Sequence, residues 1–155
     1  MSRAPAQSSR ASDDYHFNEQ VGHLLRRAYQ RHVAIFQQAI PDSQLTAAQF
    51  VTLCAVRDQQ GASLNDIAKI TAIDQATIRG VVERLQTRGL IAVARDATDG
   101  RKVTVTSTPE GDALTERTVP FAHDITEQTY GPLNPAERVA LVYLLRKMID
   151  APDVV

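Results

Sequence analysis

The sequence predicts a mainly α-helical protein that carries one small β-hairpin. Three observations lead to that expectation. Residues 63–88 hold two helical segments separated by the three-residue turn Thr71-Ala72-Ile73. Residues 90–108 hold two β-prone runs joined by an Asp/Gly turn. Residues 16–40 and 109–150 repeat apolar side chains at helical spacing. Helix, tight turn, helix and hairpin is the element order of a winged helix-turn-helix, and the flanking helices read as a dimerisation region.

A chain of 155 residues suits one domain with a sizeable core, or a small reader with a dimerisation region. Residues 1–14 read as a disordered tail, and residues 15–155 as a single domain. Within it, 15–45 and 109–155 are the expected dimerisation helices and 46–108 the winged helix-turn-helix. Apolar residues make up 43% of the chain, which excludes global disorder. No apolar run is long enough for a membrane span. The stretch MSRAPAQSSRASDD lacks the apolar segment of a secretory signal, so cytoplasmic residence is expected. The single Cys54 forbids an intramolecular disulfide and agrees with that compartment. Net charge is −1, which argues against indiscriminate nucleic-acid binding. Its distribution is more informative. From Asp74 to Lys102, Arg79, Arg84, Arg88, Arg95, Arg101 and Lys102 face only Asp74, Glu83, Asp96 and Asp99.

Residues 16–40 predict one long helix. Phe17, Val21, Leu24, Ala28, Ile35 and Ala39 form its apolar stripe, Leu25 and Phe36 widen it, and Pro41 stops it. Thr46 and Gln49 form a capping box. The helix they open turns Phe50, Leu53, Cys54 and Val56 inward and ends before Gly61. Ser63 starts a short helix that buries Leu64, Ile67, Ala68 and Ile70. Asp74 caps the next, Gln75 to Arg88, with Ile78, Val81, Val82 and Leu85 inside and Gly89 at its end. Leu90–Arg95 and Lys102–Thr108 are strands around the turn 96–100. Thr108-Pro109 opens a helix carrying Leu114, Phe121 and Ile125, which Pro120 should kink. Asn134-Pro135 opens the last helix. It is apolar around most of its circumference, which one small domain cannot bury, so a partner chain is implied.

In this element order the chain resembles the MarR family of bacterial transcription regulators over roughly residues 15–150. The family's wing motif, D-x-R-x-x-x-L-x-L-T-x-x-G, falls on Asp99, Arg101, Val105, Ser107, Thr108 and Gly111. The polar anchors match, whereas Val105 and Ser107 replace the two leucines. The block TIRGVVERLQTRGLI resembles the family's recognition helix running into its first wing strand. The resemblance implies a homodimer on a pseudo-palindromic operator in double-stranded DNA. It also implies a repressor released by a small effector, often an aromatic acid. The wording DQATIRGVVERL is similar to regulators of aromatic or nicotinate breakdown. No membrane partner, metal or cofactor is expected.

Helical spacing puts Gln75, Ala76, Arg79 and Gly80 on the open face of the second reader helix, near the end that enters the major groove. Arg79 can fork onto guanine, Gln75 can pair with adenine, and Ala76 and the Thr77 methyl can touch thymine. Gly80 in mid-helix suits close approach of DNA. Ser63 and Asn65 are phosphate candidates, and capping by Ser63 is equally compatible. Arg101 should reach the minor groove, held by an ion pair with Asp99, with Arg95 and Lys102 on flanking phosphates. Arg84 and Arg88 can add phosphate contacts, although one of them should pair with an acid. The alternative for all of these is an ordinary solvated helix face.

By the family's pocket position, the effector candidates are His16, His23, Arg26, Phe50 and Cys54. A cation there would meet a carboxylate. Plain core packing of Phe50 and Cys54 is the alternative, and Cys54 reads as a buried, sluggish thiol. The four histidines form no cluster with zinc-ligand spacing. Neither a phosphate-binding glycine loop nor a nucleophile elbow is present, so an enzyme is not expected. The competing reading is a helical winged-helix interaction module that no longer binds DNA.

Overall fold

The computed structural model describes residues 15–152. The expected tail, 1–14, lies outside them. The element order is a 3-10 turn at Phe17–Glu19, then α1 (Val21–Ala39), α2 (Ala47–Asp58), β1 (Ala62–Ser63) and α3 (Leu64–Thr71). After these come α4 (Gln75–Thr87), β2 (Ile91–Arg95), β3 (Val103–Ser107), α5 (Pro109–Tyr130) and α6 (Pro135–Ile149). The architecture is mainly helical, with a three-stranded antiparallel sheet in the order β1-β3-β2.

Side-chain oxygens set most helix starts. Gln49 N–H donates to Thr46 Oγ1 at 3.2 Å, and Thr46 N–H donates back to Gln49 Oε1. Ser63, Asp74 and Thr108 accept the backbone N–H of Asp66, Thr77 and Gly111. Asn134 and Glu137 form a second capping box. Each cap contributes about 1 kcal/mol.

The core lies between α2, α3, α4, the sheet and α5. Leu45, Leu53, Val56, Ile67, Ile78, Leu85, Val105 and Ile125 are sealed in it. The four inward residues expected of α4 are all buried. β3 is the central strand. Ile91 faces Ser107 and Arg95 faces Val103 on one side, and Ala62 faces Val105 on the other.

One joint ties these parts together. Gly89 ends α4 with φ +72°. The Thr108 hydroxyl donates to Gly89 O at 2.7 Å, and Thr108 N–H to Leu90 O at 3.2 Å. A Cβ on Gly111 would lie 2.0 Å from Leu90 O, so no side chain fits there. These contacts are the physical content of the T-x-x-G end of the wing motif.

Several expectations are corrected. The first helix does not begin at residue 16. Gln20 is extended (ψ 139°), so His16 and Phe17 precede α1 and His16 shares no helix face with His23. Of the α1 stripe only Phe36 is buried. Phe17, Val21 and Leu24 are exposed, because among the described residues only the short turn Phe17–Glu19 packs on that end of α1. Ile70 is exposed rather than buried. It follows Ile67 by three residues on a helix of only eight, past the edge of the face that α2 covers. Phe121 also faces solvent, while Leu114 and Ile125 are buried. The helix expected to carry Pro120 is α5, which includes that residue without a break. That ring is exposed, where water can take the carbonyl freed by its missing N–H.

α6 departs most from self-contained packing. None of its residues is buried; Val139 and Ile149 are 72% and 77% exposed. It is fastened at one end by Arg138. That guanidinium meets Glu127 Oε2 at 2.5 Å, donates to Leu133 O at 2.9 Å and lies 5.0 Å from the Tyr130 ring centroid. Among the described residues no helix is long and apolar enough to cross a membrane.

A candidate nucleic-acid interface

A cleft of about 160 Å³ opens between the start of α3, the outer face of α4 and the base of the wing. Ser63, Leu64, Asn65, Arg79, Arg101, Lys102 and Val103 line it. Residues distant in sequence thus converge: two polar groups at the N-terminus of α3, an α4 arginine and two hairpin cations. Arg79, Arg101 and Lys102 are exposed.

Each part is held by its local chemistry. Asp74 fixes the first turn of α4, accepting Thr77 N–H at 2.8 Å and the Thr77 hydroxyl at 2.7 Å. Those two bonds hold the Asp74 carboxyl below its usual range. They occupy the Thr77 hydroxyl and leave its methyl as the free contact. Gln75 and Ala76 are exposed beside it. Gly80 borders open space, since a Cβ there would meet nothing within 4 Å. Ser63 spends its hydroxyl on capping Asp66, whereas the exposed Asn65 forms no side-chain hydrogen bond within the described chain.

The wing tip is organised by Asp96. Its Oδ1 accepts the Thr98 hydroxyl at 2.7 Å, Thr98 N–H at 2.8 Å and Asp99 N–H at 3.3 Å. These bonds hold the Asp96 carboxyl below its usual range. Asp99 does not pair with the Arg101 guanidinium as expected. Its carboxylate accepts the backbone N–H of Arg101 at 3.1 Å, because the turn brings that N–H within reach first. The Arg101 guanidinium is left exposed at the cleft, with no ion pair among the described residues. Arg95, expected on phosphate, donates to Gly100 O at 2.9 Å and braces the turn.

The arginines at the far end of α4 have another surrounding. Arg88 pairs with Asp42 at 2.6 Å, tying the end of α4 to the loop between α1 and α2. Burial pushes the Asp42 carboxyl up, but the Arg88 hydrogen bond and charge, with N–H groups of Gln44 and Leu45, outweigh it and leave a net depression. Arg84 is exposed and lines a separate depression with Gln44, Gln49, Thr87 and Arg88, away from the Arg79 cleft.

A second cavity, about 170 Å³, lies between α1, α2 and α5. His32, Phe36, Ala47, Phe50, Val51, Ala122, Ile125 and Thr126 line it. Of the effector candidates only Phe50 is among them. His16, His23 and Arg26 sit at the uncovered end of α1, where Phe17 meets the His23 ring edge-on at 5.2 Å. Cys54 is half-buried, and burial pushes its thiol up, away from the reactive thiolate. Sequence reasoning passed over His32. The available signal was its place four residues before Phe36, on the buried side of α1. Burial lowers the His32 pKa, so the ring is neutral near pH 7. Thr129 gives its hydroxyl proton to Ile125 O at 2.7 Å. With that proton on Ile125 O, the 2.9 Å contact between His32 Nδ1 and Thr129 Oγ1 takes the tautomer with Nδ1–H, and among the described residues His32 Nε2 then has no donor.

Known proteins resemble this chain closely. A model of the MarR family matches residues 43–102. The transcriptional repressor NicR of Pseudomonas putida is 54% identical over 155 residues, covering 99% of this chain and 98% of that protein. The structure of BpsR from Bordetella bronchiseptica, whose DNA binding is regulated by 6-hydroxynicotinic acid, shares 72% identity. It aligns with a TM-score of 0.80 over 89% of this chain and 99% of that one. A mutant of MarR from Escherichia coli, solved in complex with operator DNA, shares 26% identity at a TM-score of 0.76, covering 86% and 97% of the two chains.

Proposed function

The chain belongs to the MarR family of transcription regulators, and from that premise we propose that it is a dimeric repressor which binds a pseudo-palindromic operator and releases it on binding a hydroxylated pyridine carboxylic acid. The observation that carries the DNA reading is the cleft in which Arg79, Arg101, Lys102, Ser63 and Asn65 converge. α4 enters the major groove by its first turns, and Arg79, Gln75 and Ala76 read base edges. Arg101 enters the minor groove from the wing, and Lys102 and Asn65 hold phosphates.

The dimer follows from the faces left open. Val21, Leu24 and Tyr29 on α1 and Val139, Tyr143 and Leu144 on α6 expose apolar surface at both ends of the chain's helical region. Two copies that cover those faces set their α4 helices about 34 Å apart, one turn of duplex.

The effector class comes from BpsR and its ligand. The α1–α2–α5 cavity supports it. At about 170 Å³ it is smaller than the roughly 300–1,000 Å³ of drug-sized sites and suits a single ring. Phe36 and Phe50, 5.8 Å apart, offer aromatic faces, and His32 Nε2 can accept from a ring hydroxyl or N–H.

Selection of bound duplexes from a random-sequence library, followed by mobility shifts at several salt concentrations, tests the reading. Enrichment of a pseudo-palindrome with a steep salt slope is expected, as is its release by 6-hydroxynicotinic acid. No enrichment even at low salt would sink the DNA reading and leave the interaction module.

A further inference from the structure

The departure of Ser107 from the family's wing pattern has a partner. β1 is two residues long, and its register pairs Ala62 with Val105 and Ser63 with Thr104. Gly61 N–H still donates to Val105 O at 2.9 Å. Continuing that register places Gln60 opposite Ser107, but the backbone is there already leaving α2, whose C-cap is Gln59. The side chain takes over. Gln60 Oε1 accepts Ser107 N–H at 3.0 Å, and Gln60 Nε2 donates to the Ser107 hydroxyl. A carboxamide has the donor and acceptor of a peptide group. The Gln60 amide thus serves as one more rung of β1, and a leucine at 107 could not answer its N–H.

We propose that Gln60, through Ser107, is a positioning residue for DNA recognition: it sets the tilt of the wing and so the place where Arg101 meets the minor groove. This rests on the DNA-binding reading above. The pair grips the base of β3, while Arg101 lies six residues away at the tip. At roughly 3.3 Å per residue the lever is about 15–20 Å, so a tilt of about 10° moves the tip by roughly 3 Å. That exceeds the tolerance of a hydrogen bond. β2 pairs along all of β3 and holds the hairpin together; against α2 the hairpin is placed by β3 and its pairing with β1, and the Gln60 bonds grip that junction at its base.

The test is a double-mutant cycle on the duplex enriched by the wild-type protein, with Gln60→Ala, Arg101→Ala and both together. Gln60→Ala should weaken binding about tenfold, the scale of one lost hydrogen bond, with loss of hydroxyl-radical protection at the wing's minor-groove contact. In the Arg101→Ala background the same change should cost less than about twofold, since its effect passes through that side chain. Equal losses in both backgrounds, or no loss in either, overturn the proposal. If Gln60→Ala lowers the melting temperature below the assay temperature, Gln60→Glu is put through the same cycle and judged by the same criterion. Failure of the wild-type protein to enrich any duplex would instead refute the DNA-binding reading itself.

Discussion

α4 and α6 are helices of similar length, 13 and 15 residues, and each leaves a face uncovered. On α4 the large apolar side chains are all inside and the open face is mostly polar, with Arg79, Gln75, Ala76 and a glycine. On α6 the open face is itself apolar, and nothing is buried. Exposure thus has two meanings in one chain. The α4 face is finished and polar, the kind of surface the proposed charged, hydrated partner would meet. The α6 face is unfinished: its apolar side chains lie in water, at a cost that the proposed dimer would remove.

The difference can be broken in descending order of effect. Leu85→Ala should destabilise the fold by about 2–5 kcal/mol in urea unfolding, because Leu85 is sealed within its own chain. Leu144→Asp should act elsewhere: sedimentation should report a monomer, and the melting temperature should lose its dependence on protein concentration. A wild-type chain that sediments as a monomer at micromolar concentration would erase the contrast. Arg79→Ala should cost about 1–3 kcal/mol of operator binding and relax one base position, whereas Lys102→Ala should weaken all sequences alike. Equal operator affinity in Arg79→Ala would refute the groove assignment. Gly80→Ala should raise fold stability by up to about 1 kcal/mol while weakening operator binding; unchanged binding would mean the duplex stops short of α4 there. The smallest effect concerns acid. The net-depressed Asp42 carboxyl adds stability above the ordinary carboxylate value, lost as pH falls through about 4 and below. Asp42→Asn should flatten that acid limb in melting temperature.

Much of the reader was legible because its signals are local. Thr46, Ser63, Asp74, Thr108 and Asn134 each cap the helix they announce, a property of four consecutive residues. The α4 core positions followed from a period of 3.6. What was missed depends on partners far along the chain. β1 is too short to alternate and exists only because β3 pairs with it. The break at Gln20 carries no proline or glycine to announce it. Whether an apolar stripe is covered, as at Phe36, or bare, as at Val21, is decided by how far α5 reaches along α1. Asp99 was matched to the wrong donor because charge was weighed before turn geometry. Of the cavity residues, Phe50 was anticipated; His32 needed the α5 backdrop to stand out from three other histidines.

The missing side chain at Gly111 has a mechanical consequence. With nothing between the first turn of α5 and the Leu90 carbonyl, and with Thr108 bonded to Gly89 and Leu90, four chain segments meet at one rivet. A side chain at 111 would have to push the first turn of α5 off the Leu90 carbonyl, and the strain would fall on the end of α4 and both strands of the hairpin together.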